Sequence, residues 1–235
     1  MENQPYCTAA FLDVSQAFAK VWHPGLLFQI KRILPSGYFN LLKSYLNEGQ
    51  FETKFNVEIS SRFHIHSGVF QGSILGPLLY VLHTSDLPTS RETTLDTFAD
   101  DTAIFATHED STIASLNLQE HLYIIEKWLK KWKIKVNESH IKFTLRKGHC
   151  LAVNINQTLI PQTEVVKYPG QHFDCRLNWK EHIARKRKQI DLKTKEINWL
   201  IGKKYHLSIE NKLFIYKAVI KPQWSYGIEL WGSAR

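Results

Sequence analysis

Asp100 and Asp101 sit side by side inside the apolar run TFADDTAIF, residues 97–105, and Asp13 closes a second apolar run, TAAFLDV, residues 8–14. Adjacent carboxylates repel, and a charge placed in apolar surroundings without a partner is costly. A bound divalent cation relieves both costs. Magnesium takes hard oxygen ligands, uses few protein carboxylates, and completes its shell with water and phosphate. Two such ions about 3.5–4 Å apart clamp an in-line phosphoryl transfer, one aligning the attacking hydroxyl and the other holding the leaving phosphate. Such a site draws carboxylates from more than one strand, which makes Asp13, Asp100 and Asp101 the candidate catalytic and metal-ligating residues. The same residues have a plainer use: an Asp pair opens turns, and an Asp after a strand caps the next helix.

The apolar pattern indicates the elements that would position these groups. Residues 8–14 read as a buried strand ending at Asp13, followed by a helix-like segment from Gln16 that Pro24 and Gly25 punctuate. Helical spacing recurs over Leu26–Leu34 and Tyr38–Leu46, and partial alternation over Phe51–His66 predicts a hairpin. Gly68–His83 carries a glycine-rich turn into an apolar helix, and Leu95–Thr107 predicts a strand pair with the two carboxylates at its bend. Ala114, Leu118, Leu122, Ile125, Leu129 and Trp132 recur at steps of three and four and predict a long amphipathic helix over Ser111–Lys133. Short strands are expected at Phe143–Leu145, Ala152–Ile155 and Val165–Phe173, and a helix over 181–201 with Ile190, Ile197 and Ile201 on one face. Strands and helices out of strict alternation predict the α+β class.

Composition narrows the function. At 235 residues, with 43% apolar and 22% charged residues, the chain can bury a sizeable core. No apolar run reaches the roughly 18 residues that span a bilayer, and MENQP is not the start of a secretory signal. Cys7, Cys150 and Cys175 are odd in number and far apart, which fits a reducing intracellular compartment. Through Lys127 there are 8 Lys and Arg against 14 Asp and Glu, net −6; from Trp128 onward there are 22 against 8, net +14. An acidic half beside a basic half suggests a region that binds a polyanion, although solvated helix faces would give the same tally.

The motifs together resemble the reverse transcriptases of jockey-type non-LTR retrotransposons. Phe11 to Phe18 (FLDVSQAF) with Val21-Trp22-His23 is similar to that family's first catalytic motif, Ser67 to Leu79 (SGVFQGSILGPLL) to its second, and Phe98-Ala99-Asp100-Asp101 to its signature. Trp128-Leu129 through Val136-Asn137-Glu138-Ser139, the segment Val166-Lys167-Tyr168-Pro169-Gly170, and Asn211-Lys212 through Leu230-Trp231-Gly232 resemble the regions that follow.

The resemblance implies an antiparallel polymerase palm backed by helices over residues 1–180, with partial fingers, and a basic helical thumb over 181–235. It implies transfer of a nucleotide from a dNTP to a primer 3′-hydroxyl on an RNA template. Asp13, Asp100 and Asp101 would hold two Mg²⁺ ions, with Mn²⁺ as the alternative metal. Phe18 would lie under the incoming sugar and exclude a 2′-hydroxyl, unless it is simply core. Gln71, Gly72 and Lys142 would complete the nucleotide site. Tyr168 and Gly170 would hold the end of the DNA primer, and Lys186, Lys188, Lys193 and Lys195 would meet the phosphates of the RNA–DNA hybrid. Residues 185–204 carry 8 Lys and Arg against 2 acids; the run Arg185-Lys186-Arg187-Lys188 also reads as a nuclear import signal, giving a nuclear or cytoplasmic expectation. No membrane partner is expected, and oligomeric state is not legible.

Against the family pattern, Phe70 stands for Pro, Pro169 for Leu, and the segment after Ser139 is short, with Lys142 the nearby basic residue. Residues 1–10 hold no Lys or Arg, so the basic fingers are expected to be largely missing and isolated synthesis weak or undetectable. The rivals are a non-catalytic nucleic-acid-binding remnant and a two-metal phosphodiesterase or nuclease.

Overall fold

The structure is a computed structural model that describes residues 6–136, 141–144, 151–202 and 207–233, the stretch 141–144 by its backbone. Among these, residues 6–142 with 151–162 form one compact unit, and 143–144, 163–202 and 207–233 form a second.

The first unit is built on strand β1 (Tyr6–Asp13). A turn follows where a helix from Gln16 is expected: Gln16 takes a φ of 54°, and the Lys20 N–H donates to Gln16 O at 3.0 Å. A left-handed residue cannot sit inside a right-handed helix, so the helix starts later. α1 (His23–Ile33) and α2 (Ser36–Asn47) then bury Leu26, Ile30, Leu42 and Leu46. The expected hairpin is two nested ladders, β2 (Gln50–Phe51) with β5 (Phe63–His64) and β3 (Lys54–Phe55) with β4 (Glu58–Ile59). α3 (Leu75–His83) packs Leu79 and Tyr80 against the α1 and α2 cluster. β6 (Thr93–Phe98) and β7 (Asp101–His108) form the second hairpin.

Helix α4 (Ser111–Trp132) backs the sheet. It begins at Asp110, whose side chain accepts the Thr112 N–H at 2.6 Å, and it ends at Lys133 in the left-handed region. Its stripe Leu118, Leu122, Ile125 and Leu129 packs on Ala10, Leu12, Ile104 and Ala106 from one face of the sheet. The sheet order is β6-β7-β1-β8, where the first two residues of β8 (Ile141–Thr144) belong to this unit. β9 (Asn154–Ile155) and β10 (Thr158–Leu159) add a small hairpin, and Ile155 joins the α4 core.

The second unit starts with the hairpin of β11 (Val165–Tyr168) and β12 (Gln171–Asp174). Its helices are α5 (Lys180–Ile201), α6 (Ile209–Ile215), a π turn over Tyr216–Ile220, α7 (Lys221–Ser225) and α8 (Ile228–Trp231). The hairpin groups with α5 because the His172 N–H donates to His182 Nδ1 at 3.1 Å and Phe173 packs on Trp179 with ring centroids 5.1 Å apart. Among the described residues no helix is long and apolar enough to cross a membrane.

Candidate functional site

β1 and β7 run antiparallel with Asp13 directly opposite Asp101. Directly opposed residues in an antiparallel ladder share a face, with Cβ atoms roughly 4.5–5.5 Å apart. The face is set by the period-2 pattern of β1: Leu12 pairs with Thr102 and Ala10 with Ile104 on the α4 side, which leaves Asp13 and Asp101 on the other. Phe11 and Phe105 lie on that second face too, ring centroids 5.9 Å apart and edge to face. Phe98 pairs with Asp101, so β6 and β7 are joined by the two-residue turn Ala99-Asp100. Ala99 takes a φ of 56°, an uncommon conformation for a residue with a side chain. The turn thus places Asp100 at the end of the sheet where Asp13 and Asp101 meet.

Carboxylate oxygens are the donors magnesium prefers, and the backbone register brings two of them face to face with a third in the adjoining turn. Among the described residues, no three His, Cys, Asp or Glu side chains are drawn close enough to hold a metal ion.

Phe18 is fixed by the segment that carries Gln71 and Gly72. The Val69 N–H donates to Phe18 O at 2.7 Å, the Gly68 N–H to Val21 O at 2.9 Å, and His23 Nε2 bonds Gly68 O at 2.7 Å. Gly68 takes a φ of +91°, and a Cβ there would stand 2.6 Å from Ala19 O, so only glycine permits this approach. Gln71 and Gly72 are exposed, and a Cβ on Gly72 would meet nothing within 4 Å.

Tyr80 escaped the sequence reading. Its ring packs on Phe18 with centroids 5.0 Å apart and planes 31° from parallel. Burial, and then the negative charges of Asp100 and Asp13, raise its phenol well above the usual range. In the apolar helix LGPLLYVLH a tyrosine at a buried position reads as core, and its hydroxyl is the one signal that could have marked it. A cavity of about 350 Å³ lies on the α4 side of the sheet, lined in part by Leu12, Thr102, Leu95, Ile125, Trp128 and Tyr80. It is behind the carboxylates, on the opposite face from them.

Other candidates are placed less directly. Lys142 falls in β8, and its side chain lies outside the described residues, as do Asn137–Ser139. Tyr168 is buried at 8% exposure, whereas Gly170 sits in the tight turn between β11 and β12 with a φ of +79°. The Tyr226 hydroxyl donates to Pro169 O at 3.1 Å and pins that turn.

α5 distributes its lysines over two faces. Residues seven apart on a helix lie on one side, and residues two apart lie roughly half a turn away. Lys188 and Lys195 are therefore together and exposed, while Lys186 and Lys193 flank the opposite stripe of Ile183, Ile190 and Ile197 and are half-buried. Lys186 reaches over the Tyr226 ring, its Nζ 5.6 Å from the centroid, and burial lowers its pKa. Lys193 pairs with Glu196 at 2.8 Å.

Comparison with known proteins places these features in a family. Residues 1–200 match the family described as reverse transcriptase (RNA-dependent DNA polymerase). The probable RNA-directed DNA polymerase from transposon X-element of Drosophila melanogaster is 37% identical over 99% of this chain and 26% of its own length. The RNA-directed DNA polymerase from mobile element jockey of the same organism is 36% identical over 100% of this chain and 27% of its own. The chain therefore spans about a quarter of the length of these relatives. Among solved structures, an apo telomerase from Candida tropicalis aligns with a TM-score of 0.54 at 12% identity, covering 73% of this chain and 34% of its own. That likeness is one of fold, and it agrees with the α+β architecture and antiparallel sheet described above.

Proposed function

The chain belongs to the reverse transcriptase family, and from that premise we propose that it carries the palm site of an RNA-directed DNA polymerase. In this reading residues 1–180 act as palm with partial fingers and 181–235 as a basic thumb. The observation that carries the reading is the register of Asp13 against Asp101, with Asp100 in the turn that leads into β7.

Asp13, Asp100 and Asp101 would hold two Mg²⁺ ions, which when bound supply charge neutralisation at the transferred phosphate. Phe18 stacks under the deoxyribose and leaves no room for a 2′-hydroxyl. Gln71 and Gly72, on the segment bonded to Phe18 O, border the nucleotide. The Pro169-Gly170 turn holds the primer end through its backbone. Positioning supplies much of the rate in such a transfer.

The test is single-nucleotide incorporation on a recessed RNA–DNA hybrid with and without Mg²⁺. We expect at most weak incorporation of the matched dNTP, requiring metal and lost in Asp101→Asn. Incorporation by Asp101→Asn at the wild-type rate would overturn the assignment.

The helix geometry makes a second prediction. Lys188 and Lys195 share an exposed face of α5 and would meet the phosphates of the hybrid. Changing both to Ala should flatten the log–log dependence of hybrid affinity on salt by about 1.4–1.8 units, from roughly 0.7–0.9 per phosphate contact. Lys186→Ala with Lys193→Ala, on the other side of the helix, should leave the slope nearly unchanged. Equal flattening by both pairs, measured by fluorescence anisotropy, would refute the two-sided arrangement.

A further inference from the structure

We propose that Tyr80 is a positioning residue that sets the plane of the Phe18 ring and so sharpens the choice between deoxyribonucleotides and ribonucleotides. The proposal rests on the reading of Phe18 as the residue under the incoming sugar.

Phe18 lies in the turn after β1, where its backbone is held by the bond from Val69 N–H to Phe18 O. That bond fixes the main chain and leaves the ring free to rotate about its own side-chain bonds. A ring excludes a single hydroxyl only if it is held in van der Waals contact with the sugar, because swinging it by about an ångström opens the space it is meant to fill. Phe18 packs against the cluster around Leu79 and Val69, and within it the Tyr80 ring lies beside its own, with centroids 5.0 Å apart and planes 31° from parallel.

Tyr80 is itself deeply packed. It is 4% exposed, in the cluster that joins α1, α2 and α3. Its helix starts beside Gly76, where an added Cβ would stand 2.6 Å from Phe70 O, so α3 is pressed closely onto the segment preceding it. Phe70 in turn packs edge to face on Tyr45 of α2, centroids 5.3 Å apart. The Tyr80 ring thus transmits the rigidity of three helices to a side chain that lies in a turn.

Tyr80 also lines the cavity behind the sheet beside Leu12, Val14, Ala99 and Thr102. These four residues are the chain neighbours of Asp13, of Asp100 and of Asp101. Tyr80 thus packs on the sugar-facing ring and borders the same cavity as the strand ends that carry the carboxylates.

The experiment uses the full chain bound to a recessed RNA–DNA hybrid whose primer ends in a dideoxynucleotide, so that binding is read without chemistry. With Mg²⁺ present and U as the templating base, dATP and ATP are titrated separately. The readout is the ratio of the concentrations that half-stabilise the complex. We expect Phe18→Ala to lower the preference for dATP by on the order of 100-fold and Tyr80→Leu by roughly 10-fold, with Tyr80→Phe within about twofold of wild type. A general loosening of the fold weakens both nucleotides alike and leaves the ratio where it was. Tyr80→Met, checked by its melting temperature, takes the place of the leucine variant should that one not fold.

An unchanged ratio in Tyr80→Leu or Tyr80→Met, beside a lowered one in Phe18→Ala, would overturn the role of Tyr80 and leave that of Phe18 standing. An unchanged ratio in Phe18→Ala, or a wild-type chain that binds neither nucleotide, would overturn the reading of Phe18 and the inference with it.

Discussion

Asp100→Asn combined with Asp101→Asn should abolish the rise in melting temperature that Mg²⁺ or Mn²⁺ produces in the wild-type chain. A ligand that binds only the folded state at a hundred times its Kd stabilises by about 2.7 kcal/mol. For a chain of this size that corresponds to a rise on the order of 5–10 °C. Asp101 contributes the carboxylate that faces Asp13 across the sheet, and Asp100 the one in the turn. Neutralising both leaves Asp13 alone, and a single carboxylate is a poor magnesium site. The sign of the metal-free effect is opposite. Without a cation the like charges of the adjacent Asp100 and Asp101 repel, so the double variant should melt no lower than the wild type in chelator. Differential scanning fluorimetry across a metal titration reads both effects. An equal metal-induced rise in the double variant would refute specific binding at these residues.

Acidification should destabilise the chain through His83, by on the order of 3 kcal/mol between pH 7.5 and pH 4. His83 is 1% exposed at the end of α3, and neither ring nitrogen has a hydrogen-bond partner among the described residues. Trp132 packs edge-on against it, centroids 5.8 Å apart. Burial pushes its pKa down to about 4, with Asp86 opposing the shift. The unfolded imidazole titrates near 6.5. Between these values the unfolded chain binds more protons than the folded one, so stability is full above about pH 7 and is lost as pH falls through the folded value. His121, buried on α4, differs in that both of its ring nitrogens are engaged, by Thr93 at 2.6 Å and Pro88 O at 3.0 Å. His83→Leu should therefore flatten the pH profile of urea-derived stability over this window, and His83 and leucine profiles that run parallel would exclude the residue as its source.

The sequence displays the site and the helices more clearly than it displays their supports. Asp13, Asp100 and Asp101 are legible because charged residues in apolar strands violate the ordinary pattern, and a violation is visible without a structure. α4 is legible because Ala114, Leu118, Leu122, Ile125 and Leu129 repeat at helical spacing with a capping Asp110 in front. The turn after Ser15 is not. Residues 16–20 have no strong helix breaker, and their geometry is imposed by Gly68 and Val69, which are some fifty residues distant in the chain. Tyr80 stays hidden for a related reason: its partner Phe18 is far away in sequence, and no local periodicity records a ring-to-ring contact. The grouping of the β11–β12 hairpin with α5 rests on His172 and His182, a contact between two elements that spacing alone does not join. The division of the α5 lysines into two faces, by contrast, was present in their spacing all along, since positions 186 and 193 differ from 188 and 195 by two residues.

The pairing of Asp13 with Asp101 has a consequence for how the chain comes to fold. The two residues are brought together by the β1–β7 ladder, which closes a loop running through α1, α2, α3 and β6. Closing a loop of that length is entropically slow, whereas α1, α2 and α4 are built from local contacts and form on a faster timescale. During synthesis β1 leaves the ribosome before β7 and must wait for it before that side of the strand is paired. Until then its apolar residues, Ala9, Ala10, Phe11 and Leu12, form an unpaired edge of the kind that associates with other chains. The strand that completes the carboxylate pair is thus the one most exposed to chaperones and to aggregation in a nascent copy, and the pair exists only once that hazard has been passed.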